Sequence, residues 1–484
     1  MPDAPGLRSP DDLVAPPEAE AVLRILEAAG HSAWVVGGWV RDSLLGRPVH
    51  DVDVATGARW EDGARALRAA GVPVAETGTA HGTVTAVVGG VPVEVTTYRV
   101  DGAYSDARHP DAVRFVDSVD DDLARRDFTV NAMAWHPARG LRDPFGGRDD
   151  LAAGIVRAVG DPEARMAEDA LRVLRAVRFS ARLGFSVEPA TQAAVDAHAP
   201  GLGLVSRERI GSELRALLAS GRGGEALRTQ RAALFNAVPE LAAMDGFPQR
   251  TPYHSLDVLG HVARVMDYVE VYTGGTATER LRWAALLHDV GKPDCLTYGP
   301  EGNAHFFGHP ARSRDIARAV MARLAVPRAV AVPALALVRL HDRPVTDDDR
   351  SVTSILCDLE GLAPGMAPAL FFELMALKRA DAAGKAPTYR DYAVEVDALE
   401  ARGRALLAAG VPLRPSDLAV SGADVMAALG MPPGPAVGRV LRAALDAVHR
   451  GEVGHGREDL LRWIDGNRDD SAVCGKPRTL HRKP

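Results

Sequence analysis

Two short stretches constrain this chain more than any others: Val35-Val36-Gly37-Gly38-Trp39-Val40-Arg41-Asp42-Ser43-Leu44-Leu45-Gly46 and, just after it, His50-Asp51-Val52-Asp53-Val54. An apolar run that meets Gly-Gly and then turns amphipathic predicts a strand, a tight turn and a short helix. The Gly pair lets backbone approach a ligand closely. A helix starting near Trp39 aims its N-terminal N–H groups and positive dipole end at whatever anion sits there. In the strand that follows, residues two apart share a face, so Asp51 and Asp53 point one way while Val52 and Val54 pack inward.

The pattern predicts strands at Ala33–Val36 and Asp51–Ala55, with helices at Trp39–Leu45 and Trp60–Ala70. Alternating runs Thr83–Val88 and Val91–Thr97 flank Gly89-Gly90, a hairpin signal. In the second run Val91, Val93, Val95 and Thr97 face one side and Glu94 the other, so neighbouring strands would bring Asp51, Asp53 and Glu94 together. Three acidic oxygen donors suit Mg²⁺, and a paired-metal site of this kind polarises an α-phosphate while activating a hydroxyl. Arg41 would clamp the triphosphate beside Gly37 and Gly38. The chemistry these elements point to is nucleotidyl transfer.

At 484 residues several domains are expected. Strand signals fade after about residue 150, and Ala, Leu, Arg and Glu follow at helical spacing. The expected class is therefore α+β, an N-terminal mixed-sheet head followed by an extended all-α body. Breaks fall at Gly246–Pro252 and Ala386-Pro387. No apolar run spans a bilayer and the first residues lack a secretory pattern, which implies a cytoplasmic protein. Cys295, Cys357 and Cys474 are scattered and expected to be reduced. The net charge of −7 argues mildly against a nucleic-acid partner, but between Arg165 and Arg182 five arginines face only Glu168 and Asp169, a basic stripe in an acidic chain. The end from Lys476 to Lys483 is also basic.

The run from Gly37 to Asp53 resembles the signature of polymerase-β-like nucleotidyltransferases, in the branch of bacterial tRNA CCA-adding enzymes and poly(A) polymerases. The resemblance continues through Asp122–Ala134, Asp143-Pro144-Phe145-Gly146-Gly147 and Glu168-Asp169-Ala170-Leu171-Arg172. It implies that Arg126 and Asp127 contact the nucleotide, with Asp127 on the ribose hydroxyl, and that Asp169 and Arg172 read the base. On one helix, Asp169 and Arg172 would share a face at i,i+3. A carboxylate accepts from an exocyclic amino group and a guanidinium donates to the adjacent ring nitrogen, a pattern cytosine and adenine fit and uracil and guanine oppose. CTP and ATP follow as substrates, with roughly 10⁴-fold rejection within reach of such a site. Arg175 and Arg178 would support the base or phosphates.

A second constellation, His261, His288-Asp289 and Asp381, resembles the metal-binding set of HD-superfamily phosphohydrolases, with His309 and His341 where some members carry extra ligands. Imidazole and carboxylate together suit a divalent transition metal that generates hydroxide. Gly422 to Gly438 resembles the helical tail of the nucleotidyltransferase branch.

The expected domains are a nucleotidyltransferase head over 18–150, a helical neck for base selection and RNA binding over 151–245, an HD domain over 250–390 and a helical tail over 391–466. The expected function is addition or repair of the 3′-terminal CCA of tRNA from CTP and ATP, with no membrane and no obligate protein partner. Poly(A) polymerase and C-only or A-only transfer share the motifs, though Thr77–Thr83 lacks a basic run expected of the former. An HD phosphohydrolase whose N-terminal domain only binds RNA is the alternative of another class.

Overall fold

The structure, a computed structural model, describes residues 6–468 except 50, 102–112, 252, 301 and 387–391. The stretch from Asp101 to Pro110, expected to be a loop, falls outside these residues beyond Asp101, as do His50, Cys474 and the basic end. The chain divides into two compact units, Met1–Ala242 and Ala243–Pro484.

The first unit is built on β1 (Ala33–Val36), β2 (Asp53–Thr56), β3 (Val74–Ala75), β4 (Thr83–Val88), β5 (Val91–Thr97), β6 (Arg99–Asp101), β7 (Val113–Phe115), β8 (Ala134–His136) and β9 (Gly140–Arg142). Seven of these make one mixed sheet in the order β3-β4-β5-β2-β1-β8-β9, while β6 and β7 pair separately. Within the sheet β2 and β5 run parallel and the other neighbours antiparallel. The β4–β5 hairpin forms as its alternation predicts: Val84 opposes Val95 and Ala86 opposes Val93, all four buried, while Thr85 opposes Glu94 on the other face. Gly89 and Gly90 both take positive φ, 59° and 89°, the conformation a two-residue hairpin turn demands.

The β2 strand starts later than expected, at Asp53 and not Asp51, so Asp51 lies in the segment leading into it and Val52 is only half-buried. The short helix runs Gly38–Leu44 and the next Trp60–Ala69. Helices Pro162–Glu168, Leu171–Leu183 and Arg207–Ala219 follow, the last two packed together.

In the second unit helix Val258–Tyr272 packs along helix Ala367–Gly384, burying Val262, Val265 and Val269 and aligning the two for much of their length. Helices Glu279–Leu287, His309–Arg323 and Arg328–Leu340 close around them. Helices Gly422–Leu429, Pro435–His449 and Arg457–Gly466 share a smaller core of Val425, Val440, Leu445, Leu460 and Ile464. The region past residue 150 is not purely helical: Ile155–Val156 pairs with Ser186–Val187, and Thr297–Tyr298 with Ala304–His305. Strands of two residues are too short to show a period of two. Among the described residues no single helix is long and apolar enough to cross a membrane.

Candidate active site and metal centre

In the first unit Asp53 and Glu94 are direct partners across the parallel β2–β5 pair, so their side chains leave the sheet on the same face. Desolvation, then the charges of Glu94 and, more weakly, Asp51 push the Asp53 carboxyl above its ordinary value, while Arg126 pulls the other way. The structure brings Asp53 and Glu94 together, with Asp51 in the segment before β2, and the like charges around Asp53 are of the kind a bound cation relieves.

Beside them the chain turns at Gly37, whose φ of 69° and ψ of −126° are open to glycine and strained for other residues. A Cβ there would lie 2.7 Å from Arg126 Nη1. Gly37, Gly38, Arg41, Asp53, Arg126, Asp127, Asp169, Arg172, Arg175 and Arg178 all line one cavity of about 480 Å³. The structure therefore gathers the expected nucleotide residues, but their partners differ from the simplest reading. Arg41 is 3% exposed and held by both carboxylate oxygens of Asp42, at 2.8 and 2.7 Å, and by Asn131 Oδ1 at 2.5 Å. Arg41 still lines the cavity, with its guanidinium held in place by these two neighbours.

Asp169 and Arg172 do not share one helix. Asp169 is extended, with φ −140° and ψ 107°, and ends helix Pro162–Glu168 before helix Leu171–Leu183 begins. Asp169 Oδ1 accepts from Leu171 N at 2.9 Å and Oδ2 from Arg209 Nη2 at 2.9 Å. Arg172 pairs with Glu168 and donates to the carbonyls of Arg165 and Arg125 at 3.0 and 3.2 Å. The two groups are thus fixed independently on one cavity wall, each by neighbours of its own.

The stripe of arginines finds its counter-charges in tertiary space: Arg175 with Asp127 at 2.6 Å, Arg178 with Glu213 at 2.5 Å and Arg182 with Asp42 at 3.2 Å. Asp127 accepts from Phe128 N, Asn131 Nδ2 and Arg175 Nε. Burial would raise its pKa, but Arg175 first and then these bonds outweigh it and hold the carboxyl at about 2. The ribose hydroxyl that the resemblance assigns to Asp127 would have to share or displace one of these donors. Arg209 and Glu213 carry no sequence signal, because they meet their partners only through packing, while Asn131 lies within the Asp122–Ala134 run without having been singled out.

The second unit brings all six expected ligands together. His261, His288, Asp289 and Asp381 offer ligand atoms within 4.8 Å of one another, and Asp289, His309 and His341 do the same. Nδ1 of His288, His309 and His341 lies 2.8, 2.9 and 2.8 Å from the carbonyls of Ala285, Phe306 and Val338. Such anchoring fixes each ring and turns Nε2 inward, the arrangement of metal-ligating histidines. His288 Nε2 has no hydrogen-bond partner, and neither oxygen of Asp289 has an aligned one, although Lys292 Nζ comes within 2.6 Å of Oδ2. Burial would raise Asp289 and Asp381, but His288 and Lys292 beside the first and Lys385 and His261 beside the second hold both well below the usual carboxylate range. Orphaned buried nitrogen and oxygen atoms of this kind fit a divalent metal. Lys292 and Lys385, both lining the adjoining 630 Å³ cavity, have no counterpart in the sequence reading.

Family models match the chain in three places: a poly A polymerase head domain at residues 33–157, a "Probable RNA and SrmB- binding site of polymerase A" at 184–244 and an HD domain at 252–363. The chain is 34% identical to the CCA-adding enzyme of Geobacillus thermodenitrificans (strain NG80-2) over 92% of its own length and 96% of that protein's. It is 33% identical to the CCA-adding enzyme of Geobacillus stearothermophilus over 94% and 98%. Its structure is similar to the crystal structure of the Bacillus stearothermophilus CCA-adding enzyme in complex with CTP, with a TM-score of 0.71 at 30% identity, covering 94% of this chain and 98% of that one.

Proposed function

The chain belongs to the CCA-adding enzymes, and from that membership we propose how its residues divide the work. It is a tRNA nucleotidyltransferase that builds the 3′-terminal CCA from CTP and ATP and releases pyrophosphate. Asp51, Asp53 and Glu94 would hold Mg²⁺, which when bound polarises the α-phosphate and favours the ionised RNA 3′-hydroxyl for in-line attack. Arg126, Arg175 and Arg178 receive the triphosphate, with the backbone at Gly37 and Gly38 free to approach it. Asp169 accepts the exocyclic amino group of cytosine or adenine with the lone pairs left by Leu171 and Arg209, and Arg172 donates to the ring nitrogen. Asp127 fixes Arg175, and the division into head, neck, HD domain and tail at 18–150, 151–245, 250–390 and 391–466 follows the same assignment, in a cytoplasmic protein.

The observation that carries this reading is the Asp53–Glu94 register on one face, beside a cavity that holds Asp169 and Arg172. Its test is incorporation of each triphosphate, supplied singly and together, into tRNA transcripts lacking C, CA or CCA. Two C and one A, with UTP and GTP refused, are expected; unlimited A tailing would overturn the reading in favour of a poly(A) polymerase.

A second reading concerns the other unit and rests on the inward-facing Nε2 atoms. His261, His288, Asp289 and Asp381 would hold one divalent transition metal, and Asp289, His309 and His341 a second, which when bound would supply an activated hydroxide for phosphoester hydrolysis. Metal content of the purified protein, and hydrolysis of bis(p-nitrophenyl) phosphate that disappears in His288→Ala, test it. A wild-type protein that takes up no metal sinks it.

A further inference from the structure

We propose that Phe179 is a positioning residue for nucleotide binding: its ring is the shared platform that keeps three guanidinium groups aimed into the nucleotide cavity. The Cζ atoms of Arg41, Arg175 and Arg178 lie 5.2, 5.4 and 4.1 Å from the centroid of this one ring, within the range of cation–π attraction. Phe179 itself lines the cavity while being 4% exposed, and the ring of Phe128, 5.8 Å away at 73°, meets it in a T-shaped contact that fixes its orientation.

The physical reason for a ring here is the geometry of guanidinium donors. A carboxylate partner engages a guanidinium through its edge and occupies the same N–H groups that a phosphate needs. An aromatic partner engages the flat face and leaves the in-plane donors free. Asp42, Asp127 and Glu213 already take part of the donor set of Arg41, Arg175 and Arg178. A further carboxylate would neutralise the site and take more donors. The ring instead attracts the like-charged groups without consuming hydrogen bonds. It also links Arg41 on helix Gly38–Leu44 to Arg175 and Arg178 on helix Leu171–Leu183, two helices that line the same cavity.

This inference rests on the assignment of Arg175 and Arg178 to the triphosphate, and the experiment separates the two. Affinity for CTP and ATP, and the kcat and KM for addition of C and of A, are measured for the wild type, Phe179→Leu, Phe179→Tyr and Arg175→Ala, with melting temperatures alongside. The platform predicts that Phe179→Leu raises KM for CTP and for ATP alike by about tenfold, with kcat and the refusal of UTP little changed. Phe179→Tyr, which keeps the ring face, stays within about twofold of wild type. A Phe179→Leu protein with unchanged KM overturns the proposal, as does a Phe179→Tyr protein as impaired as Phe179→Leu, which would mark the ring as mere filling. Arg175→Ala with unchanged KM overturns the underlying assignment instead.

Discussion

At the scale of single residues, the site works by setting charges against one another. Asp53 is raised by desolvation, Glu94 and Asp51, and a bound cation removes that conflict. Replacing Asp53 by Asn is expected to lower the rate of CCA addition by roughly 10²–10³-fold while CTP affinity changes little, checked by single-turnover addition beside equilibrium binding. Asp127 shows the opposite balance, its carboxyl held at about 2 by Arg175 and its hydrogen bonds. A folded-state value below the unfolded one means that the folded protein binds fewer protons. The stabilisation is complete above about pH 4 and lost as pH falls through about 2, amounting to about 2 kcal/mol. Urea unfolding followed from pH 5 to pH 2 should show that loss, and Asp127→Asn should lack this part of the pH dependence.

At the scale of elements, the boundaries legible in the sequence are those of the first strands and helices of the head, before residue 100. The Ala33–Val36 strand and both arms of the hairpin fall where alternation and Gly89-Gly90 place them, because local sterics and the buried Val84–Val95 and Ala86–Val93 pairs favour the same register. Asp51 was misplaced into a strand, since alternation continues past the point where a neighbour is available for pairing. The Asp169–Arg172 helix was an overreach of another kind: the spacing fits a helix, but the backbone turns extended at Asp169, whose side chain caps the next helix through Leu171 N. The turn at Gly37 carries a measurable cost. Gly37→Ala forces an L side chain into a strained conformation worth about 1–3 kcal/mol and pushes on Arg126. A fall in melting temperature of roughly 3–10 °C, with weakened triphosphate binding, is expected by calorimetry and binding assays.

At the scale of the molecule, two units carry two separate sets of chemistry, each built within its own core. The double variant His288→Ala, Asp289→Asn should therefore keep CCA addition within about twofold of wild type, while losing metal and any phosphoesterase activity; tRNA extension and metal analysis on one preparation check both. The amino-acid sequence by itself determined the chemistry that short-range pattern can encode: the Asp51 and Asp53 carboxylates, the glycine turn and the hairpin that offers Glu94; the six residues of the second centre, spread from His261 to Asp381, were legible only through their resemblance to the HD superfamily. Periodicities of two and 3.6 residues fix which side chains share a face where the element forms, as it does for the β4–β5 hairpin and not for Asp169 and Arg172. Only the tertiary structure decided what each charge meets. Arg209 on Asp169, Asp127 under Arg175, Glu213 beside Arg178, and the inward rotation of three imidazoles anchored by backbone carbonyls all join segments distant in the chain or depend on how helices end. Their partners are chosen by packing, and no local pattern in the sequence records that choice.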